Sequence, residues 1–92
     1  MAVYDTQKTR RAAKLIGRMA DSLETEVKPE FRQALLILDE LRGRTARAMD
    51  DRLTQLLRAA GYIEAELEAL SRRVDEYADM MEQVDQELAE KL

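Results

Sequence analysis

The side chains that most often perform catalysis are unevenly represented in this chain of 92 residues. Acidic residues are numerous in its second half: Glu64, Glu66, Glu68, Asp75, Glu76, Asp79 and Glu82. Paired carboxylates can act as general acid and base, and with histidine in a Glu-x-x-His motif they hold iron inside helical bundles. The chain has no histidine and no cysteine, which excludes that motif, the usual zinc sites and thiolate chemistry. There is also no glycine-rich phosphate loop. We therefore expect no enzyme activity, no metal site and no cofactor.

Five arginines near the middle of the chain form a second cluster with chemical potential. They are Arg42, Arg44, Arg47, Arg52 and Arg58. Clustered arginines attract nucleic-acid phosphates. Acidic residues alternate with these arginines, the net charge is −4, and no groove-binding motif is present. We expect no nucleic-acid binding, and interpret the cluster as a salt-bridged surface or as a docking face for an acidic partner.

Charge is distributed unequally between the two ends of the sequence. Residues 1–58 carry a net charge of +3 and residues 59–92 a net charge of −7. This polarity suits antiparallel pairing, in which the acidic end of one chain faces the basic part of another. The alternative is an ordinary solvated helix surface.

The second half of the chain has the clearest periodicity, with apolar or small residues at alternating steps of four and three. The series is Met49, Leu53, Leu56, Ala60, Ile63, Leu67, Leu70, Val74, Tyr77, Met81, Val84 and Leu88. Such a heptad pattern predicts one continuous helix, over about 46–91, that pairs with another helix. We expect the partner interface at Met49, Leu53, Leu56, Ile63, Leu67, Leu70 and Val74.

The first half has a looser apolar stripe that predicts a helix over about 5–41, capped by Asp5 or Thr6. Pro29 removes one helical hydrogen bond, so we expect a kink there or a break. Gly43 favours the left-handed position after a helix end, which predicts a turn at 42–45, with Thr45 available to cap the second helix.

These elements predict an all-α fold with one domain over residues 1–92. Its form is an antiparallel two-helix hairpin that pairs into a four-helix bundle, because a lone hairpin leaves apolar surface exposed. A three-helix bundle broken at Pro29 and Gly61 is the alternative. The unbroken heptad pattern through Gly61 favours the hairpin.

The turn and the C-terminus together resemble the WXG (ESAT-six-like) family of small proteins of bacterial type VII secretion. Leu41 and Gly43 occupy the turn, where family members carry Trp-X-Gly, so the tryptophan itself is missing here. Near the end, Met81, Asp85, Leu88 and Leu92 match a family pattern of apolar and acidic positions, with Tyr77 one turn earlier.

The resemblance implies a secreted protein, or an adaptor that targets a larger toxin. The absent tryptophan favours the adaptor. Partners would be a second copy, a homologous helical protein or a toxin's helical N-terminal domain, and a secretion ATPase. Tyr77, Met81, Asp85, Leu88 and Leu92 would form the export signal, although the apolar ones also fit a plain heptad core. The implied location is the bacterial cytoplasm before export, then the medium or the cell surface.

Two further expectations concern membranes and the start of the chain. No apolar run approaches membrane-spanning length, and Met-Ala-Val-Tyr-Asp lacks the apolar stretch of a cleavable signal peptide.

The alternative function is a generic coiled-coil adaptor or chaperone subunit unrelated to secretion.

Overall fold

A computed structural model describes residues 5–91, which form a long helical hairpin. Helix α1 (Thr6–Ser22), a π-helical turn (Leu23–Val27) and helix α2 (Lys28–Glu40) follow one another without interruption. We call residues 6–40 the first arm. It packs antiparallel against helix α3 (Arg44–Lys91), and the molecule measures 74 × 16 × 13 Å. No strand occurs in this part of the chain.

The first arm begins at a side-chain cap and passes through Pro29 without breaking. The Lys8 amide donates to the Asp5 carboxylate at 2.9 Å, which satisfies one of the unpaired donors of the first helical turn. Just before Pro29, the Lys28 amide donates to the Leu23 carbonyl, five residues earlier. This wider π turn accommodates a proline ring that would collide with the preceding turn of a regular α-helix. The expected break is therefore absent.

The turn is one residue earlier and one residue shorter than expected. The first arm ends at Glu40, Leu41 is extended, and Gly43 takes a φ of 112°. The second helix begins at Arg44, so Thr45 lies inside its first turn and does not cap it. Gly61 lies within the unbroken helix α3, so the helix does not break at that residue. The hairpin is therefore the one of the two expected architectures that agrees with the structure.

The surface of α3 that meets the first arm follows a heptad pattern different from the expected one. Every residue in this series is buried or half-buried: Ala46, Asp50, Leu53, Leu57, Ala60, Glu64, Leu67, Ser71, Val74, Ala78, Met81 and Asp85. It shares only every second residue with the predicted series. The true packing seam therefore contains four polar residues, and seven of the twelve predicted seam residues face solvent.

Small residues let the two arms approach closely. Ala13 and Ala20 on α1 are 3% and 1% exposed, and Ala78 on α3 is fully buried. Ser71 Oγ donates to the Ala13 carbonyl at 2.7 Å, and it also lies where a Cβ at Gly17 would come within 3.2 Å. The fully buried core of the described residues is thus mostly alanine and is thin.

Candidate functional site

The most prominent surface feature is a line of half-exposed apolar side chains along α3. Its members recur at every seventh position, and we call them the α3 stripe: Met49, Leu56, Ile63, Leu70, Tyr77 and Val84. They are between 41% and 53% exposed, and Leu88 continues the line at 56%. Residues seven apart lie on one face of a supercoiling helix, so this surface is one continuous ridge.

The apolar surface continues from α3 onto the first arm. A shallow groove between the arms is lined by Leu67 on one side and by Leu15 and Met19 on the other. Leu67 also lines a second groove with Ile63 and Leu70. Leu15 and Met19 are 51% and 56% exposed. One broad side of the hairpin is therefore apolar across both arms near its middle.

The same side of α3 carries a groove near the turn. Leu38 of α2 and Met49, Leu53 and Leu56 of α3 line it. Apolar atoms dominate its walls, with Arg52 at the edge. This groove is suited to receiving the apolar side chains of another helix.

The opposite side of the hairpin is polar. Lys14, Arg18, Asp21, Glu68 and Arg72 border the groove around Gly17. Solvated helix surfaces carry mixed charges of this kind. The two broad sides of the hairpin therefore differ in polarity, one being charged and the other apolar.

Arg10 ties the start of α1 to α3 through three carboxylates. Its guanidinium lies 2.7 Å from Asp79, 3.0 Å from Asp75 and 3.0 Å from Glu82. The hydrogen bonds that Arg10 donates to Asp79 and Glu82 raise the pKa of Arg10 above its already high value. These contacts fix where the first arm begins along α3.

A second ion pair lies inside the packing seam. Lys28 Nζ is 2.8 Å from Glu64 Oε2 and 2.6 Å from Glu24 Oε2. Lys28 donates hydrogen bonds to Glu24 and Glu64; these raise the pKa of Lys28, and the bond to Glu24 lowers the pKa of Glu24. Only 12% of the Glu64 side chain is exposed, so this pair sets the arms in register at the π turn.

Beside the turn, two carboxyl groups approach each other. The nearby Asp39 carboxyl group raises the pKa of Asp50, and partial burial adds to the rise. Thr54 Oγ1 donates to Asp50 at 3.5 Å and acts in the opposite direction. Arg42 and Arg47 border the same groove.

The predicted partner interface is divided between the two surfaces. Leu53, Leu67 and Val74 are half-buried in the packing seam against the first arm. The other four residues belong to the exposed α3 stripe: Met49, Leu56, Ile63 and Leu70. The seven residues of the predicted partner interface are thus divided between two apolar surfaces of α3 that lie side by side.

The residues of the predicted export signal also lie in different surroundings. Met81 is 7% exposed and packs in the seam, whereas Tyr77 and Leu88 are 50% and 56% exposed. Asp85 is half-buried at the end of the seam. Leu92 lies outside the described residues, as do residues 1–4 of the expected signal-free N-terminus. At the turn, Leu41 is 55% exposed.

The predicted site omitted several of the residues that shape these surfaces. Leu36 and Ile37 on α2 are 66% and 61% exposed, and they lie outside the apolar stripe that predicted the first helix. Charged residues normally indicate solvent-facing positions, so the sequence does not predict that Lys28 and Glu64 lie in the seam. Their pairing appears only when the arms are aligned.

The hairpin exposes more surface than a compact protein of its size. Its accessible surface is 7621 Å² for 10.6 kDa, whereas a typical folded monomer of that mass exposes about 5,500 Å². Its radius of gyration is 20.8 Å, against roughly 12 Å for a compact domain of this length. The difference of about 2,100 Å² per chain exceeds the roughly 800 Å² that each partner buries in an interface of standard size.

Comparison with family models, with curated proteins and with solved structures gives no match for this chain. The resemblance to the WXG family consequently stands on its motif residues. None of the described helices combines the length and the hydrophobicity needed to cross a bilayer. Within residues 5–91, no group of three acidic side chains is placed to hold a metal ion.

Proposed function

We propose that this chain is a non-enzymatic binding protein that pairs its apolar side with another helical chain. The α3 stripe carries this proposal, because six large apolar residues at seven-residue spacing remain half-exposed over most of a 48-residue helix. Monomeric soluble proteins seldom leave a contiguous apolar surface of this length uncovered. The thin alanine core supports the same conclusion, since a hairpin with so little buried volume gains stability from a partner.

We further propose that this pairing serves type VII secretion, either of the chain itself or of a larger toxin for which it acts as adaptor. The support is the resemblance at Leu41, Gly43 and the C-terminal pattern. In that role the chain is found in the bacterial cytoplasm before export and outside the cell afterwards. A secretion ATPase is the proposed reader of Tyr77, Asp85 and Leu88.

Export of variants in a native or reconstituted secretion host tests the secretion role. Asp85→Ala should abolish export, because it removes the acidic group of the C-terminal pattern, while helicity by circular dichroism stays unchanged. Gln86→Ala is the matched control, one residue further along and exposed, and should be exported normally.

Normal export of Asp85→Ala would contradict the proposed signal. The chain would then be better described as a coiled-coil adaptor whose partner lies outside secretion. That result would leave the helix-pairing proposal intact, because pairing depends on the α3 stripe.

A further inference from the structure

The α3 stripe is spaced for a partner that is itself a long helix. Its six members cover residues 49–84, about 53 Å at the rise of an α-helix. Only a helix of similar length with a matching seven-residue repeat can cover such a ridge continuously. Helix α3 itself, with 48 residues, has that length and that repeat.

Charges beside the stripe indicate which helix this is. The positions three residues after each stripe member are all exposed: Arg52, Ala59, Glu66, Arg73, Met80 and Glu87. In sequence order the charges run positive, neutral, negative, positive, neutral, negative. In reverse order every sign is inverted. An antiparallel copy of the same helix therefore presents the complementary charge at each of these positions.

We infer that α3 pairs antiparallel with α3 of a second copy of this chain, about a two-fold axis close to Ala69. This deepens the proposed helix-pairing function, on which it rests, by naming the partner and its register. Glu66 of each copy faces Arg73 of the other, and Arg52 faces Glu87. Each contact occurs twice, as a two-fold interface requires.

The same register aligns apolar residues along the whole contact. About an axis close to Ala69, Ile63 of one copy lies opposite Tyr77 of the other, Leu56 opposite Val84, and Leu70 opposite its own counterpart. The seam residues, among them Ala60 and Met81, stay packed against the first arm. Because the stripe repeats every seven residues, the flanking charges are what select this alignment among heptad shifts.

Other alignments lose the charge complementarity. A shift of one heptad in either direction places Glu66 against its own counterpart or Arg73 against its own counterpart, on the two-fold axis. Like charges directly opposed destabilise such pairs. A parallel arrangement would bring the charged residues Arg52, Glu66 and Arg73 of one copy toward Leu57, Ser71 and Ala78 of the other, which carry no charge.

The antiparallel register also covers the remaining apolar surface. Val84 and Leu88 of one copy lie over the turn-end groove of the other, which is formed with Leu38. Leu15 and Met19, beside Leu67, lie near the two-fold axis and meet their own counterparts. Residues 81–92 of each copy then face residues 47–58 of the other, and these segments carry net charges of −3 and +1.

Disulfide trapping tests this register, because the chain has no native cysteine. Glu66→Cys/Arg73→Cys should form a covalent dimer under mild oxidation. Its two cysteines, about 10.5 Å apart along one helix, cannot bridge within a chain. Either single substitution should give no covalent dimer. Ala65→Cys/Arg72→Cys is the matched control, with the same spacing on the opposite face, and should remain monomeric on a denaturing gel.

Reversing the charges at the exposed positions Glu66 and Arg73 provides a second test. Glu66→Arg should weaken self-association about tenfold, since two ion pairs become repulsive contacts. Adding Arg73→Glu should restore the wild-type dissociation constant. Analytical ultracentrifugation measures both, with circular dichroism confirming unchanged helicity.

Covalent dimers of the single Glu66→Cys variant would indicate a shifted register and overturn the alignment. A wild-type dimer that none of these cysteines traps would overturn the α3–α3 contact while leaving helix pairing as the function. A folded wild-type monomer would overturn self-pairing. The export experiment is independent of all three results, so failure of the secretion role is recognised separately.

Discussion

Lys28 and Glu64 form a 2.8 Å ion pair inside the seam between the two arms, where the neighbouring positions are alanine and leucine. The pair joins the π turn that precedes Pro29 to the middle of α3. Since both side chains are less than one-fifth exposed, Glu64 depends on Lys28 to satisfy its charge, whereas Lys28 is also paired with the more exposed Glu24. The pair specifies one alignment of the hairpin.

Replacement of one member of this pair should destabilise more than replacement of both. Glu64→Leu leaves the Lys28 ammonium without its seam partner, so the thermal midpoint should fall. Lys28→Met/Glu64→Leu should return the midpoint to the wild-type value or above, because apolar residues then fill the seam. Thermal melts followed by circular dichroism measure both. A double variant as unstable as Glu64→Leu would contradict this account, and Glu26→Gln, an exposed neighbour, is the control.

Two glycines should respond in opposite ways to larger side chains. Gly17 lies against Ser71 Oγ, so Gly17→Leu should separate the arms and cost about 1–3 kcal/mol in unfolding free energy. A Cβ at Gly61 meets nothing within 4 Å, so Gly61→Ala should stabilise by about 0.5–1 kcal/mol through helix propensity. Urea unfolding measures both changes. Equal responses at the two positions would show that the arms are not in close contact at Gly17.

Stability should fall with rising pH at the turn, where Asp39 raises the pKa of Asp50. The folded state binds a proton there that the unfolded chain releases more readily. This contribution is fully present below about pH 3.9, the ordinary pKa of aspartate, and is lost as the pH rises through the raised pKa of Asp50.

Asp39→Asn should therefore raise the thermal midpoint at pH 7, because Asp50 then ionises without an adjacent carboxylate. At pH 3, where Asp50 carries its proton, the variant should match the wild type. Asp51→Asn, at an exposed position next to Asp50, serves as control. If the Asp39→Asn variant and the wild type have the same thermal midpoint at pH 7, the two carboxyl groups do not interact.

The sequence was sufficient to predict two antiparallel helices and a turn at Gly43, because helical periodicity and glycine placement are local features. It did not identify which apolar residues face inward. Leu53 and Leu67 lie in the seam, whereas Leu56 and Leu70 do not, although all four have the same residue type and pattern.

Polar residues determine which side of α3 faces the first arm. Asp50, Glu64 and Ser71 occupy seam positions, and their partners Asp39, Lys28 and Ala13 lie on the other arm. A polar residue is assigned to the surface until its partner is known. Likewise, Pro29 predicts a helix break, and only the π turn beside it shows how the helix continues.

The solution mass of the purified chain, by size-exclusion chromatography with light scattering, tests the pairing surface most directly. We expect a dimer of about 21 kDa, twice the 10.6 kDa chain, and a folded monomer for Ile63→Asp, which places a charge in the α3 stripe. Ala65→Asp, on the opposite face, should remain dimeric. A wild-type chain that is a folded monomer, or an Ile63→Asp variant that dimerises as tightly as the wild type, would contradict the account.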